Sequence, residues 1–160
     1  YPRRFFSTIY CVLPTLPPMP NQRKVLTRSE MMARIPSKNT RPELRVRHFL
    51  WASGFRYRLH GKQLPGKPDI VLSRYKTVVF VHGCFWHGHA NCKQFKLPAT
   101  RREFWEAKIT TNQTRDAQSI SKLKALGWNV IVVWECEIEG HAGRGRLVRL
   151  LSEILGIEGM

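Results

Sequence analysis

Residues 65 to 92 read PGKPDIVLSRYKTVVFVHGCFWHGHANC, and this stretch decides the fold of the chain. The turn residues Pro65 to Pro68 precede two runs rich in β-branched residues, Asp69 to Leu72 and Thr77 to Val81. Four residues, Ser73 to Lys76, join these runs, and a connection of this length is typical of a β-hairpin. The second run leads into a loop of cysteines, histidines and aromatic residues. The stretch therefore predicts a hairpin in the core that ends in a chemically rich loop.

One helix and one strand are predicted before the hairpin. Thr40-Arg41-Pro42-Glu43 has the form of an N-terminal capping box with a proline in the first turn, and Gly54 marks the expected end of the helix. Residues Phe55 to Leu59 alternate between apolar and polar, as a half-buried strand does.

A long helix, a strand and a final helix are predicted after the hairpin. Thr100 to Glu103 have the form of a second capping box, and the helical pattern that follows, with a break expected near Thr110 to Asn112, stops at Gly127. Asn129 to Val133 predicts a buried strand, and Leu147 to Leu155 predicts an amphipathic helix. This order of elements indicates an α/β fold with a central mixed β-sheet flanked by helices.

Composition divides the chain into three parts. Its 160 residues, 42% of them hydrophobic, predict one domain over residues 40–160. Residues 1–20 hold an arginine pair and several prolines, and we expect a flexible or mistranslated extension, with Met19 a possible start and a transit peptide as the alternative. Residues 21–39 are basic and polar, which predicts an arm that orders on its partner.

The charge is strongly positive and unevenly placed. The formal net charge is +16, and residues 1–60 hold twelve Lys and Arg against only Glu30 and Glu43. Such a surface attracts a polyanion through phosphate neutralisation and counterion release, so nucleic acid is the expected partner. A basic protein that uses its charge only for solubility is the alternative. No apolar run approaches the about 18 residues of a membrane span, so no membrane role is expected.

The loop after the hairpin predicts a metal site. Zinc binds four thiolate or imidazole ligands in a tetrahedron, and Cys84, His89 and Cys92 supply three of them from one loop. Cys136, which follows a core strand, would be the fourth. Reduced core cysteines and a disulfide are the alternatives to this structural zinc site.

Three further residues predict hydrolytic chemistry. Phosphodiester hydrolysis uses a hard cation and an activated water, and Mg²⁺ prefers oxygen ligands, for which Asp69 is the obvious candidate. The alternative is that Asp69 only begins a strand. His82 and His87 lie outside the zinc set, so they are interpreted as acid–base groups, although they could serve as ligands in an alternative set.

Five motifs in order carry a resemblance to a known family: PGKPDIV, VFVHGCFWHGHANC, KLPATRREFWEAKI, NQTRD and ALGWNVIVVWEC. Together they resemble the very-short-patch repair endonucleases, a branch of the restriction-endonuclease-like PD-(D/E)xK superfamily, over about residues 27–155. The resemblance implies a restriction-endonuclease-like sheet, a structural Zn²⁺ and a catalytic Mg²⁺. It also implies an enzyme that nicks DNA 5′ to the thymine of a T:G mismatch left by deamination of 5-methylcytosine.

The resemblance implies roles for individual residues. Asp69 would bind Mg²⁺ together with the main-chain carbonyl of Val81. His87 would be the general base for the attacking water, and His82 would stabilise the scissile phosphate or the leaving group. The residues that would support the histidines or the hydrated metal are Asp116 and Glu43.

The implied zinc set is Cys84, His89, Cys92 and Cys136. The chain departs from the family pattern in two places. Val81 stands where a hydroxyl residue is expected, but the implied ligand there is a backbone oxygen, so metal binding should survive. Ala90 and Asn91 lengthen the spacing before Cys92 by one residue, which predicts a differently shaped loop.

Aromatic and polar residues would contact the DNA. The resemblance implies that three rings enter the duplex beside the mismatch, where unstacking costs least: Phe85, Trp86 and Trp105. The alternative for Trp105 is a place in the core. Lys108 and Asn112 would read the mismatch edges, and Met32 in the basic arm would probe the minor groove.

The expected partner is double-stranded DNA with a T:G mismatch, bound by a monomer in the bacterial cytosol or nucleoid. Mismatch-repair proteins or a cytosine methyltransferase system are possible further partners. The sequence leaves two alternative functions: a restriction or homing-type endonuclease of the same fold, and a non-catalytic DNA-binding module held together by zinc.

Overall fold

The computed structural model describes residues 30–31, 34, 38–140 and 143–157. The extension, most of the basic arm and Met32 lie outside the described residues, so the predictions made for them stay predictions. Contacts divide the chain into residues 1–33 and residues 34–160, and every element below belongs to the second unit.

Helix α1 spans Arg41–Ala52 and begins with the predicted capping box. The Glu43 amide donates to Thr40 Oγ1 at 3.4 Å, and the Thr40 hydroxyl donates to Glu43 Oε1 at 3.0 Å. The helix ends before Gly54, whose φ of +85° is the left-handed conformation that glycine adopts without strain. Both predicted ends of this helix are therefore confirmed.

A mixed four-stranded sheet has the order β1-β2-β3-β4. The first three strands, Arg58–Leu59 (β1), Ile70–Leu72 (β2) and Thr77–His82 (β3), are antiparallel, and β4, Asn129–Trp134, runs parallel to β3. The predicted hairpin is confirmed, with a 3₁₀ turn at Ser73–Tyr75 between β2 and β3. The first predicted strand is shorter than expected, because only its last two residues pair with β2.

After the hairpin, the described residues form three helices: Arg102–Ala125 (α2), Glu135–Ile138 (α3) and Gly143–Leu155 (α4). Helix α2 ends, as predicted, just before Gly127, and the Trp128 amide donates to the Leu123 carbonyl at 3.0 Å. None of the helices in the described part of the chain is long and apolar enough to span a membrane.

Two predictions about α2 were wrong. The second capping box does not form, because Arg101 takes a left-handed conformation (φ +54°) directly before the helix and no side chain caps it. The expected break near residue 110 is also absent. The hydroxyls of Thr111 and Thr114 donate to carbonyls one turn earlier, at 2.8 and 3.0 Å, so these residues are satisfied inside a continuous helix.

Alternate residues of β3 pack on opposite faces of the sheet. Val79 and Val81 join the larger core, to which α1 and α4 contribute, while Val78 and Phe80 pack with Leu123 of α2 on the other face. The predicted α/β fold, with a central mixed sheet flanked by helices, is therefore confirmed. Strand β4 lies at the edge of the sheet, so of its residues only Ile131 and Val133 are buried, which corrects the expectation of a buried strand.

Candidate active site and metal centre

The site forms where β3 and β4 end side by side. Because these strands are parallel, His82 pairs with Trp134, and the loop after β3 meets the short helix after β4. Helix α2 holds this loop from the other side, since Asn112 donates to the Trp86 carbonyl at 2.9 Å and Gln113 donates to the Gly88 carbonyl at 3.0 Å. A side chain at residue 88 would collide with the helix: its Cβ would lie 2.7 Å from Ile109 Cγ2.

The four residues of the predicted zinc set come together, and their ligand atoms all lie within 4.8 Å of one another. His89 Nδ1 lies 3.6 Å from the Cys84 sulfur and 3.3 Å from the Cys136 sulfur. Ligands bound at about 2.0 to 2.3 Å in a tetrahedron stand roughly 3.3 to 3.8 Å apart, so these separations fit one metal ion, and the donor set suits zinc. Cys84, Cys92 and Cys136 are free thiols, which does not support the disulfide alternative.

Burial disfavours the ionised form of two of the thiols. Burial raises the pKa of the Cys84 thiol to about 12 and also raises the pKa of Cys136. A metal ion would offset this cost, since metal binding releases the thiol protons. The longer spacing before Cys92 leaves the cluster closed, and Asn91 turns the chain there with a left-handed φ of +57°. His89 also stacks on Trp134, a contact that the sequence did not predict, at 4.1 Å between ring centroids.

A second cluster joins His82, His87 and Asp116, whose ligand atoms also lie within 4.8 Å of one another. The two imidazoles stack with centroids 3.8 Å apart and planes 6° apart, and His87 Nδ1 lies 2.5 Å from Asp116 Oδ2. Burial would raise the pKa of Asp116, but the hydrogen bond with His87 and the neighbouring positive charges together lower that pKa below its usual value. The ionised carboxylate accepts the Nδ1 proton, which leaves Nε2 of His87 free to take a proton.

This arrangement suits proton handling better than metal binding. Ring-nitrogen lone pairs lie in the plane of the imidazole, so two nearly parallel rings cannot both aim at one ion. The contact with Asp116 instead has the geometry by which a carboxylate orients a histidine general base in hydrolases. The structure thus brings Asp116 into contact with His87, and the supporting role that the resemblance implies for Asp116 stays a prediction.

His82 is buried in a neutral form. Burial, and then the neighbouring charge of His87, lowers the pKa of His82 from 6.5 to about 3. A neutral imidazole keeps one N–H that can donate to an anionic oxygen.

The neutral His82 makes the fold sensitive to acid. Below its unfolded pKa of about 6.5, the unfolded chain binds a proton that the folded chain refuses, so stability falls as the pH falls towards 3. When the pH is lowered from about 7.5 to 5.0, the unfolding free energy of His82→Phe should fall by about 2 kcal/mol less than that of the wild type. Urea unfolding at both pH values measures this, with the exposed His48→Phe as the control. An equal loss in wild type and His82→Phe would contradict the assignment.

Asp69 directly precedes β2, and its Oδ2 accepts the Val81 amide at 2.8 Å. Burial and then the nearby charge of Glu43 raise the pKa of Asp69. A divalent cation would favour the ionised form, so the carboxyl suits metal binding. In a strand the N–H and C=O of one residue point to the same side, so the Val81 carbonyl faces the side on which Asp69 lies.

Glu43 is buried and its carboxylate is already bonded. Besides the capping box, its Oε2 accepts the Asn39 amide at 3.0 Å and the Arg47 guanidinium at 2.7 Å. Arg47 also donates to Asn39 Oδ1 at 2.6 Å, a network that the sequence did not predict. Glu43 therefore caps the helix and raises the pKa of Asp69 through its charge, while its implied role in supporting the hydrated metal stays a prediction.

The three predicted intercalating rings form one edge-to-face cluster. Phe85 lies 5.3 Å from Trp86 and 5.4 Å from Trp105, measured between centroids. Phe85 and Trp105 are only 7% and 6% exposed, while Trp86 is partly exposed. Lys108 is exposed, whereas Asn112 is buried and its amide holds the loop. The cluster therefore matches the alternative of core packing for Trp105 in this structure, and DNA contact by these residues stays a prediction.

Comparison with known proteins gives consistent results. A family model described as DNA mismatch endonuclease Vsr matches residues 23–94. The chain is 53% identical to the type II nicking enzyme V.NmeAIP of Neisseria meningitidis over 128 residues, which cover 79% of this chain and 91% of the relative. It is 47% identical to DNA mismatch endonuclease Vsr of Escherichia coli over 115 residues, which cover 72% of this chain and 73% of the relative.

Proposed function

We propose a substrate and a mechanism for this chain, which belongs to the Vsr family of DNA mismatch endonucleases and is therefore an enzyme that cleaves DNA. We propose that it nicks one strand 5′ to the thymine of a T:G mismatch left by deamination of 5-methylcytosine. The observation that carries the mechanism is the hydrogen bond between His87 and Asp116 at the end of β3. It supplies an oriented base in the loop that follows β3, the strand whose Val81 amide donates to Asp69.

Mg²⁺ would be held by Asp69 and the main-chain carbonyl of Val81, where it would polarise the phosphate and neutralise charge. His87 takes the proton of the attacking water at Nε2 as the water oxygen bonds to phosphorus. The bond between phosphorus and the leaving deoxyribose oxygen breaks, and solvent protonates that oxygen. Asp116 stabilises the imidazolium that forms. His82, held neutral by burial, donates its N–H to the phosphate or to the leaving oxygen.

Zn²⁺ would occupy the cluster of Cys84, His89, Cys92 and Cys136. Its role is structural, because four protein ligands leave no open position for substrate. The ion ties the loop that carries His87 to the helix after β4. The position of the base thus depends on the thiols.

Mismatch recognition would use the aromatic cluster. Phe85, Trp86 and Trp105 would enter the duplex, and the cost of unstacking, a few kcal/mol, is least at a mispair. Phe85 and Trp105 would leave their buried positions to do so. Lys108 and Asn112 would read the mismatch edges, and Met32 would contact the minor groove. We propose that a monomer performs these steps in the bacterial cytosol or nucleoid, with mismatch-repair proteins or a cytosine methyltransferase system as further partners.

The role of Asp116 can be tested separately. In Asp116→Asn the imidazole loses its anionic partner, so we expect kcat to fall by about 10²- to 10⁴-fold with little change in DNA affinity. Single-turnover nicking and fluorescence anisotropy measure the two quantities. The matched control is Glu106→Gln, an exposed acid on the same helix. An Asp116→Asn enzyme with wild-type kcat would exclude this role.

A mismatch panel tests the proposed function. Nicking rates in Mg²⁺ are compared on otherwise identical duplexes that hold T:G, T:A or C:G at one position. We expect T:G to be nicked at least about 100-fold faster than either matched pair, since the wedge is costly in a stable duplex. Equal rates on all three would favour a restriction or homing-type enzyme. Binding without any cutting would favour a non-catalytic module.

A further inference from the structure

Phe104 is a fourth aromatic ring beside the cluster, and the proposed function gives it no role. It lies in the first turn of α2, 47% exposed, with its centroid 5.2 Å from that of Trp105. Phe85 and Trp105 are almost fully buried by comparison. In the unbound protein, Phe104 is therefore far more exposed than Phe85 or Trp105.

Arg101 accompanies this ring. Its Cζ lies 4.6 Å from the Phe104 centroid, close enough for a cation–π interaction. The neighbouring Arg102 has its charge matched by Glu106, at 2.7 Å. Arginine can stack on a ring and bind a phosphate with its planar guanidinium at the same time. A paired Arg101 and Phe104 thus combine the two chemistries with which proteins hold nucleic acids: a phosphate ligand and a stacking surface.

We propose that Arg101 and Phe104 form a further DNA contact, in which Arg101 binds a backbone phosphate and Phe104 packs against the adjacent sugar or base. This inference rests on the proposed function, because it requires that the neighbouring aromatic cluster faces the duplex. A single exposed apolar ring is ordinary on a protein surface. Phe104 differs because it lies beside the aromatic cluster of a DNA endonuclease and because Arg101 stacks on its ring.

The exposure of Phe104 also predicts which duplexes it contacts. Phe85 and Trp105 have to leave buried positions before they can enter a duplex, whereas Phe104 needs no such rearrangement. The Arg101–Phe104 pair therefore contacts matched and mismatched DNA alike. It contributes to general affinity, while the buried rings contribute to the discrimination of T:G.

The test measures duplex binding by fluorescence anisotropy across a range of salt, using the zinc-loaded full chain without Mg²⁺. We expect Phe104→Ser to weaken binding by about tenfold on both T:G and C:G duplexes, with the salt dependence unchanged. Arg101→Gln should weaken binding and reduce the slope of log K against log salt by about one. Both positions are exposed, so thermal unfolding should match the wild type.

Matched controls lie at the far end of the same helix, about 36 Å away along a 24-residue helix. They are Leu126→Ser, which removes an exposed apolar side chain, and Lys124→Gln, which removes an exposed charge. Variants of Phe104 and Arg101 that bind as these controls do would overturn the inference. That result differs from failure of the proposed function, in which the wild type binds DNA but nicks T:G no faster than matched duplexes.

Discussion

Replacing Asp69 by asparagine is expected to reduce nicking by more than about a thousandfold, because a catalytic metal supplies several kcal/mol of transition-state stabilisation and each 1.4 kcal/mol is a factor of ten. The amide has nearly the same shape, and its oxygen can still accept the Val81 amide, so the strand pairing should persist. What is lost is the anionic oxygen for the cation. Single-turnover nicking in Mg²⁺ measures the change.

Two further measurements separate this effect from misfolding. Isothermal titration with Mn²⁺ should show binding to the wild type and greatly weakened binding to Asp69→Asn, while anisotropy should show DNA affinity within about threefold of the wild type. Glu103→Gln, a change at an exposed acid in α2, should leave both properties unaltered. An Asp69→Asn enzyme that keeps a tenth or more of the wild-type rate would exclude Asp69 as the anchor of the metal.

Replacing Cys136 by serine is expected to remove the metal from the thiol cluster and to lower the melting temperature by at least about 10 °C. Cys136 would be the ligand that links the loop after β3 to the end of β4, and its neighbour Cys84 is buried. A closed four-ligand zinc site contributes directly to folding free energy. Loss of one ligand should also displace His87, so nicking should fall with the melting temperature.

Metal analysis and calorimetry compare the zinc content and melting temperature of the wild type with those of Cys136→Ser. Wild type purified without chelator should hold about one equivalent of zinc, and chelation should lower its melting temperature nearly to that of Cys136→Ser. Lys93→Ser, next to Cys92 in the loop and exposed, should behave as the wild type. Less than about half an equivalent of zinc in the wild type would count against the site.

Local sequence predicted the elements whose signals are local. The Thr40–Glu43 capping box, the turn between Leu72 and Thr77, and the stop at Gly127 all depend on residues within one turn of each other. The Thr100–Glu103 box has the same letters but does not form, since Arg101 adopts a left-handed conformation beside Phe104. A capping pattern therefore predicts the start of a helix only when the fold leaves the residue directly before the helix in an extended conformation.

The thiol cluster could also be predicted, because three of its ligands lie within nine residues and metal chemistry restricts the choice of the fourth. Other features depend on parts of the chain that are far apart in sequence. The stacking of His82 on His87, the hydrogen bond to Asp116 and the burial of Phe85 arise when α2 packs over the loop. No periodicity in the sequence specifies how closely that helix approaches.

The position of the nick tests the central proposal most directly. Each strand of a T:G duplex is labelled in turn at its 5′ end, and the products are sized on a denaturing gel after reaction in Mg²⁺. The proposed function predicts one cut, on the thymine strand, at the phosphodiester immediately 5′ to the mismatched thymine. Cleavage of both strands, or a cut at the same position and rate when the thymine pairs with adenine, would contradict it.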